Sequence, residues 1–210
     1  MSSELTYIIS GFFLGLSGLI PGPLFTLVVS ETLKHGIKEG IKVSASPLIT
    51  DLPIILLTII IFSRLTGIDH LLGIIAFTGG SFLIYLAFES FMFKGSETGS
   101  HRSQSHSMKK GIIANLLNPS PYIFWFSIGA PTVFKAYDKG LLQASLFIII
   151  FYFTLVGSKI IIALITGKSK NFLSSSFYIY LIRFLGVVLL GFAVYFLRSG
   201  LQYFNIIGVQ

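Results

Sequence analysis

The chain has 210 residues, 53% of them hydrophobic and 11% charged, and its mean hydropathy is +0.85; soluble domains carry about 25% charged residues, so this composition is that of an integral membrane protein. The formal charge of +7 would suit nucleic acid in a soluble protein, but the basic residues mostly flank apolar runs and show no interleaving with aromatics, so that partner is excluded. With no cysteine, disulfides, thiolate metal sites and thiol redox chemistry are excluded as well.

The length accommodates one bundle of roughly six helices at about 20 residues per span plus loops. The N-terminus, MSSELTY, has neither a basic n-region nor a small-residue cleavage site after a short apolar core, so the first span is expected to be retained. That span covers 5–29. Gly11, Gly15, Gly18 and Gly22 share one helical face, a bare stripe that lets another helix come close. The span is interrupted by Pro21-Gly22-Pro23. Each proline removes a backbone donor and clashes with the carbonyl one turn earlier. Carbonyls freed at membrane depth must find partners within the protein or face water, so the break predicts a helix lining a cavity.

A polar loop with Lys34, His35, Lys38 and Lys42 is expected over 31–42, followed by a second span over 41–63 with Pro47, Asp51 and Pro53. Asp51 lies ten residues from Lys42 and thirteen from Arg64, near mid-bilayer. A central Asp costs about 2.5–3.5 kcal/mol on insertion scales, and so short a side chain does not snorkel, which places it against a polar interior. After a turn at 64–70, span 3 (71–93) carries Gly79-Gly80 for close packing and Glu89 near its far end, at the interface. The Gly/Ser/charged stretch 94–110 reads as a flexible linker on the cytoplasmic side. His101 and His106 within it lack the carboxylate or cysteine neighbours of a metal tract.

Span 4 starts near Gly111 and meets a second break, Asn118-Pro119-Ser120-Pro121, whose Asn and Ser can bond backbone groups released by the prolines. Trp125 and Tyr122 lie too deep for interfacial anchors and are expected in the core. Span 5 (141–166) contains Lys159, seven residues or about 10 Å from Thr166, a distance its stem can largely snorkel. Span 6 (177–197) opens with Arg183, expected to reach the interface, and ends at Arg198.

For six spans, Arg64, Lys135, Lys139 and Arg198 fall on one side of the membrane. Ten basic residues fall on the other: Lys34, Lys38, Lys42, Lys94, Arg102, Lys109, Lys110, Lys168, Lys170 and Arg183. The basic side is cytoplasmic, so a multi-pass plasma-membrane protein with both termini outside is expected. The chain divides into a first three-helix repeat (1–93), the linker (94–110) and a second repeat (111–210). Each half opens with a proline-broken helix, continues with one carrying a buried charge and closes with one bearing glycines. Gly80, Leu83 and Ala87 match Gly186, Leu189 and Ala193 without gaps. The fold class expected is therefore all-α, with six transmembrane helices as two inverted three-helix repeats and breaks in helices 1 and 4. Secondary transporters use that plan to build a midplane site.

Pro21-Gly22-Pro23, the basic glycine-containing loop, Asp51, and Asn118-Pro119-Ser120-Pro121 resemble the lysine-exporter family (LysE/RhtB-like amino-acid exporters) over nearly the whole chain. Ser46 and Thr50 stand where the family's GxxxGD pattern has glycines, which implies a looser helix contact. Ser120 stands where its NPK motif has a cation. The resemblance implies a secondary exporter of amino acids or similar zwitterions, and it also permits a metal or inorganic ion as cargo. The candidate binding residues are Pro21, Gly22, Pro23, Asp51, Asn118, Pro119, Ser120, Pro121 and Lys159. Only Asp51 is a certain oxygen ligand at membrane depth, so no metal site is assigned. No GxSxG, HExxH, nucleotide-binding motif or paired intramembrane acids occur, so neither an enzyme nor a cofactor is expected. The partners expected are a small solute and the bilayer, with glycine faces that allow a homodimer.

Overall fold

A computed structural model describes residues 3–62, 68–92, 106–169 and 175–204. Among these residues every regular element is helical: α1 (Ser3–Gly15), a 3₁₀ turn (Leu16–Leu19), α2 (Pro23–His35), α3 (Ile37–Ser44), α4 (Ser46–Phe62), α5 (Ile68–Phe91), α6 (Ser107–Leu116), α7 (Pro119–Phe124), a π turn (Trp125–Gly129), α8 (Ala130–Tyr137), α9 (Leu141–Ser169) and α10 (Ser175–Tyr203). The expected turn at 63–67, residues 93–105 of the linker and the loop 170–174 lie outside the described residues. The linker's last four residues, Ser107–Lys110, are the first turn of α6.

Among the described residues four stretches are long and apolar enough to cross a bilayer: Ile37–Thr58, Leu72–Phe91, Leu141–Ser169 and Ile179–Tyr203. Glu4–Leu19 and Pro23–His35, bent by 60° at the proline break, make a fifth together. The fourth expected span, starting near Gly111, is divided among α6, α7, the π turn and α8, so no single helix there is long enough. The stretch 31–42 is helical instead of a loop, apart from Gly36. At φ 98° this glycine adopts a backbone that an L side chain disfavours, and it turns α2 into α3 in one residue.

The glycine stripe of span 1 rests on α9. A Cβ added at Gly11 would lie 2.8 Å from the Phe147 carbonyl oxygen, and one at Gly15 2.6 Å from that of Phe151. At Gly18 it would meet Ser158 Oγ and the Leu155 carbonyl. Only hydrogen fits in these places, so the backbones touch. Helices α5 and α10 pack antiparallel through reciprocal contacts. Gly80 faces the Ala193 carbonyl at 3.2 Å from its would-be Cβ, and Gly186 faces the Ala87 carbonyl at 3.1 Å. Ser46 and Thr50 are buried, not loosely packed. The small residue of that contact stands on the facing helix, where Gly111 lies against Ser46.

Each long helix has an outward apolar face and an inward one. On α4, Leu52 and Leu56 are exposed while Asp51, Ile54 and Thr58 are buried. A helix whose bare face is leucine and whose covered face holds the acid is arranged for a lipid exterior.

Candidate functional site

The residues before Pro21, Pro23 and Pro119 are forced out of the helical region by the pyrrolidine ring, while Ser120, before Pro121, stays helical in the first turn of α7. Ile20 (φ −66°, ψ 125°), Gly22 (φ −162°, ψ −179°) and Asn118 (φ −96°, ψ 121°) are all extended. The groups this frees find local partners. Thr26 gives both its N–H and its hydroxyl to the Gly22 carbonyl at 2.9 Å. Asn118 Oδ1 accepts from the Ser120 N–H at 3.0 Å and caps α7, while the Tyr122 hydroxyl donates to the Leu116 carbonyl at 2.8 Å.

The two breaks, one from each half of the chain, line a single cavity of about 310 Å³. Pro21, Gly22 and Pro23 come from the first break, and Asn118, Ser120 and Pro121 from the second; Asp51 and Lys159 reach in from α4 and α9. Of the nine residues named from sequence, Pro119 alone does not line the cavity; it is buried as the first residue of α7. Ser17, Ile20, Pro21, Ser120 and Tyr195 are exposed lining residues, so the cavity reaches the surface beside the breaks.

Asp51 is held by three neutral donors from three elements. Asn115 Nδ2 donates to Oδ1 at 3.1 Å; Trp125 Nε1 and the Tyr152 hydroxyl donate to Oδ2 at 3.3 and 3.1 Å. Asn115 Nδ2 also donates to Thr50 Oγ1 at 2.6 Å. A carboxylate has about four lone-pair positions, so three bonds leave room for one more donor. Trp125 is 1% exposed, as expected of a core residue, but a buried indole N–H needs an acceptor, and Asp51 supplies it. Asn115, Trp125 and Tyr152 were not among the residues chosen from sequence. Tyr152 carried a usable signal, because it precedes Lys159 by seven residues and so shares its helical face.

Lys159 does not snorkel. It is 6% exposed, its ammonium lies beside Gly18, and it lines the cavity. Among the described residues it has no hydrogen-bond or ion-pair partner. The cavity thus holds an acid bonded to neutral groups and a cation bonded to none.

A second polar centre lies at the other end of α2 and α6. Glu31, wholly buried, accepts from Lys110 Nζ at 3.1 Å and from the Ser107 hydroxyl. Lys110 also reaches Glu89 Oε1 at 2.6 Å, and Lys34 lies 3.4 Å from the same oxygen and 3.0 Å from Ser90 Oγ. His35 Nε2 approaches Glu31 at 3.9 Å. Three helices, α2, α5 and α6, are joined this way. Glu89, half-buried near the end of α5, is thus engaged by two lysines, and Lys34 is a helical residue and not a loop cation. Glu31, His35 and Glu89 bring ligand atoms within 4.8 Å of one another, but two lysine ammoniums already neutralise the two carboxylates, so the cluster is an ion-pair network. Between it and the cavity lies an apolar layer including Leu27, Val28, Val43 and Ala114, each at most 3% exposed.

No curated protein and no solved structure matches the chain. Residues 16–200, however, match the family model described as LysE type translocator. With its apolar helices, two proline breaks and shared cavity, this multi-pass membrane transporter belongs to the LysE type translocator family.

Proposed function

We propose that the protein exports amino acids or similar small zwitterionic solutes, driven by a proton gradient through alternating access. The observation that carries this reading is one cavity containing a buried acid with a spare lone pair and a buried cation with no hydrogen-bond or ion-pair partner among the described residues. A buried charge without a directly bonded partner is costly. It is tolerated where a ligand supplies the counter-charge for part of the cycle. Lys159, together with the N-terminus of α2 at Gly22-Pro23, takes the substrate carboxylate; helix N-termini carry partial positive charge and unpaired N–H groups. Asp51 takes the substrate ammonium or the coupling proton.

Six crossings in two inverted halves fit this mechanism. The reciprocal pairing of Gly80 with Ala193 and Gly186 with Ala87 supports the repeat, because these are the residues that match between halves. A two-fold axis in the membrane plane would generate such a pair of contacts. The network of Glu31, Lys34, Glu89 and Lys110, with the apolar layer beneath it, serves as a latch closing the cytoplasmic side. It ties α2 and α5 of the first half to α6 of the second. Rocking the halves apart on that face requires these ion pairs to separate.

The test is Asp51→Asn. Asn115 can rotate its amide to present oxygen to the new Nδ2, and Trp125 and Tyr152 can still donate to the remaining oxygen, so the fold is preserved. Gradient-driven efflux from proteoliposomes should be abolished while the melting temperature in detergent stays near that of the unmodified protein. Full transport by Asp51→Asn would remove Asp51 from the mechanism.

A further inference from the structure

We infer that the cargo is a zwitterion without net charge whose side chain is apolar. This rests on the exporter reading above and narrows it to a substrate class. A cavity of about 310 Å³ is at the small end of ligand pockets, suited to one amino-acid-sized solute. Of the residues lining it, Asp51 and Lys159 alone carry a charge. The α-ammonium and α-carboxylate of a zwitterion use both. A third charge on the solute, whether ammonium, guanidinium or carboxylate, would give up water on binding and find no further counter-ion among the lining residues. Such burial is strongly disfavoured.

The rest of the wall states what the side chain meets. Helix α10 contributes only aromatic rings, Phe192, Tyr195 and Phe196, to the cavity. Phe124 and Phe151 stack with ring centroids 5.3 Å apart and planes 7° from parallel, and both also meet Trp125, which bonds to Asp51. The two charged groups stand on α4 and α9. The cavity therefore offers two charges for the head of the solute and a wall rich in aromatic rings for its tail. Aromatic and aliphatic side chains gain from burial against such rings, whereas charged ones lose their hydration.

The experiment is efflux of labelled leucine, phenylalanine, lysine and glutamate from proteoliposomes of the full chain under an imposed proton gradient. Leucine or phenylalanine should leave with an efficiency at least about 100-fold above lysine and glutamate, the scale expected for an unpaired buried charge. Lysine or glutamate leaving as fast as leucine would overturn the assignment while keeping the exporter reading. Failure of all four to leave faster than from protein-free liposomes would overturn the exporter reading itself, and this inference with it. A second arm uses Phe192→Ala, with the fold checked by melting. It should raise the KM for leucine by about tenfold, the scale of lost apolar contact in a binding pocket. An unchanged KM would show that the α10 wall does not touch the solute, contrary to the proposal.

Discussion

The two polar centres are built on opposite rules. Around Glu31 the charges are matched: two carboxylates meet two lysines and a histidine, and the hydroxyls of Ser90 and Ser107 complete the set. Around the cavity the charges are left apart, with Asp51 surrounded by neutral donors and Lys159 by no partner among the described residues. Both centres are buried, so burial alone does not separate a structural polar group from a functional one. What separates them is whether the opposite charges touch. A matched set in direct contact holds helices together; an acid and a cation that line one open cavity without bonding to each other leave both able to meet a solute.

That contrast predicts opposite signs for two chemically similar substitutions. Lys110→Met leaves the Glu31 carboxylate wholly buried without its nearest cation, and removing one partner of a buried pair costs about 3–5 kcal/mol. The melting temperature should fall sharply, and Lys110→Arg should restore much of the loss. Lys159→Met should do the reverse. It replaces a buried cation that has no hydrogen-bond or ion-pair partner among the described residues with an apolar side chain of similar length, and relief of its desolvation should raise the melting temperature. Export by Lys159→Met should be lost all the same. A rise in melting temperature together with loss of efflux would be the signature of a residue kept for function. If Lys159→Met melts as early as Lys110→Met, then Lys159 is held by a partner and the contrast between the centres fails.

The cavity was more legible in the sequence than the ion-pair network. Pro21, Pro23 and Pro119 act mainly through local geometry, so their breaks are legible in the chain, although Pro53 shows that a single proline can also sit inside an unbroken helix. Asp51 was marked by its depth in an apolar run, because the cost of a mid-membrane acid is known before any partner is. Lys159 is less clear, since its stem is long enough to reach the interface; in the structure its ammonium lies against Gly18 in the 3₁₀ turn after α1. Glu31, Lys34, Glu89 and Lys110 resemble the ordinary charged flanks of membrane helices. Their meaning comes from contacts 79 and 55 positions apart in the chain, as in Lys110–Glu31 and Lys34–Glu89. No local pattern encodes such pairs. The same holds for Ser46 and Thr50, since a helix that lacks the glycines there predicts a looser contact on α4. The small residue stands instead at Gly111, on α6.

Tyr152→Phe gives the smallest of these effects and the sharpest view of how Asp51 is held. The substitution removes one hydroxyl and leaves the ring, which packs against Phe151 at a centroid distance of 5.1 Å. Asp51 keeps its bonds from Asn115 and Trp125, so the loss should be about 1 kcal/mol, the net value of a single hydrogen bond. Efflux should fall several-fold and remain measurable, because the carboxylate stays in place with one more lone pair free. If Tyr152→Phe silences transport as completely as Asp51→Asn while its melting temperature hardly moves, then the Tyr152 hydroxyl takes part in the transport cycle itself. The cavity's working unit would then be the acid together with its phenol, and Lys159 would face that pair across the cavity.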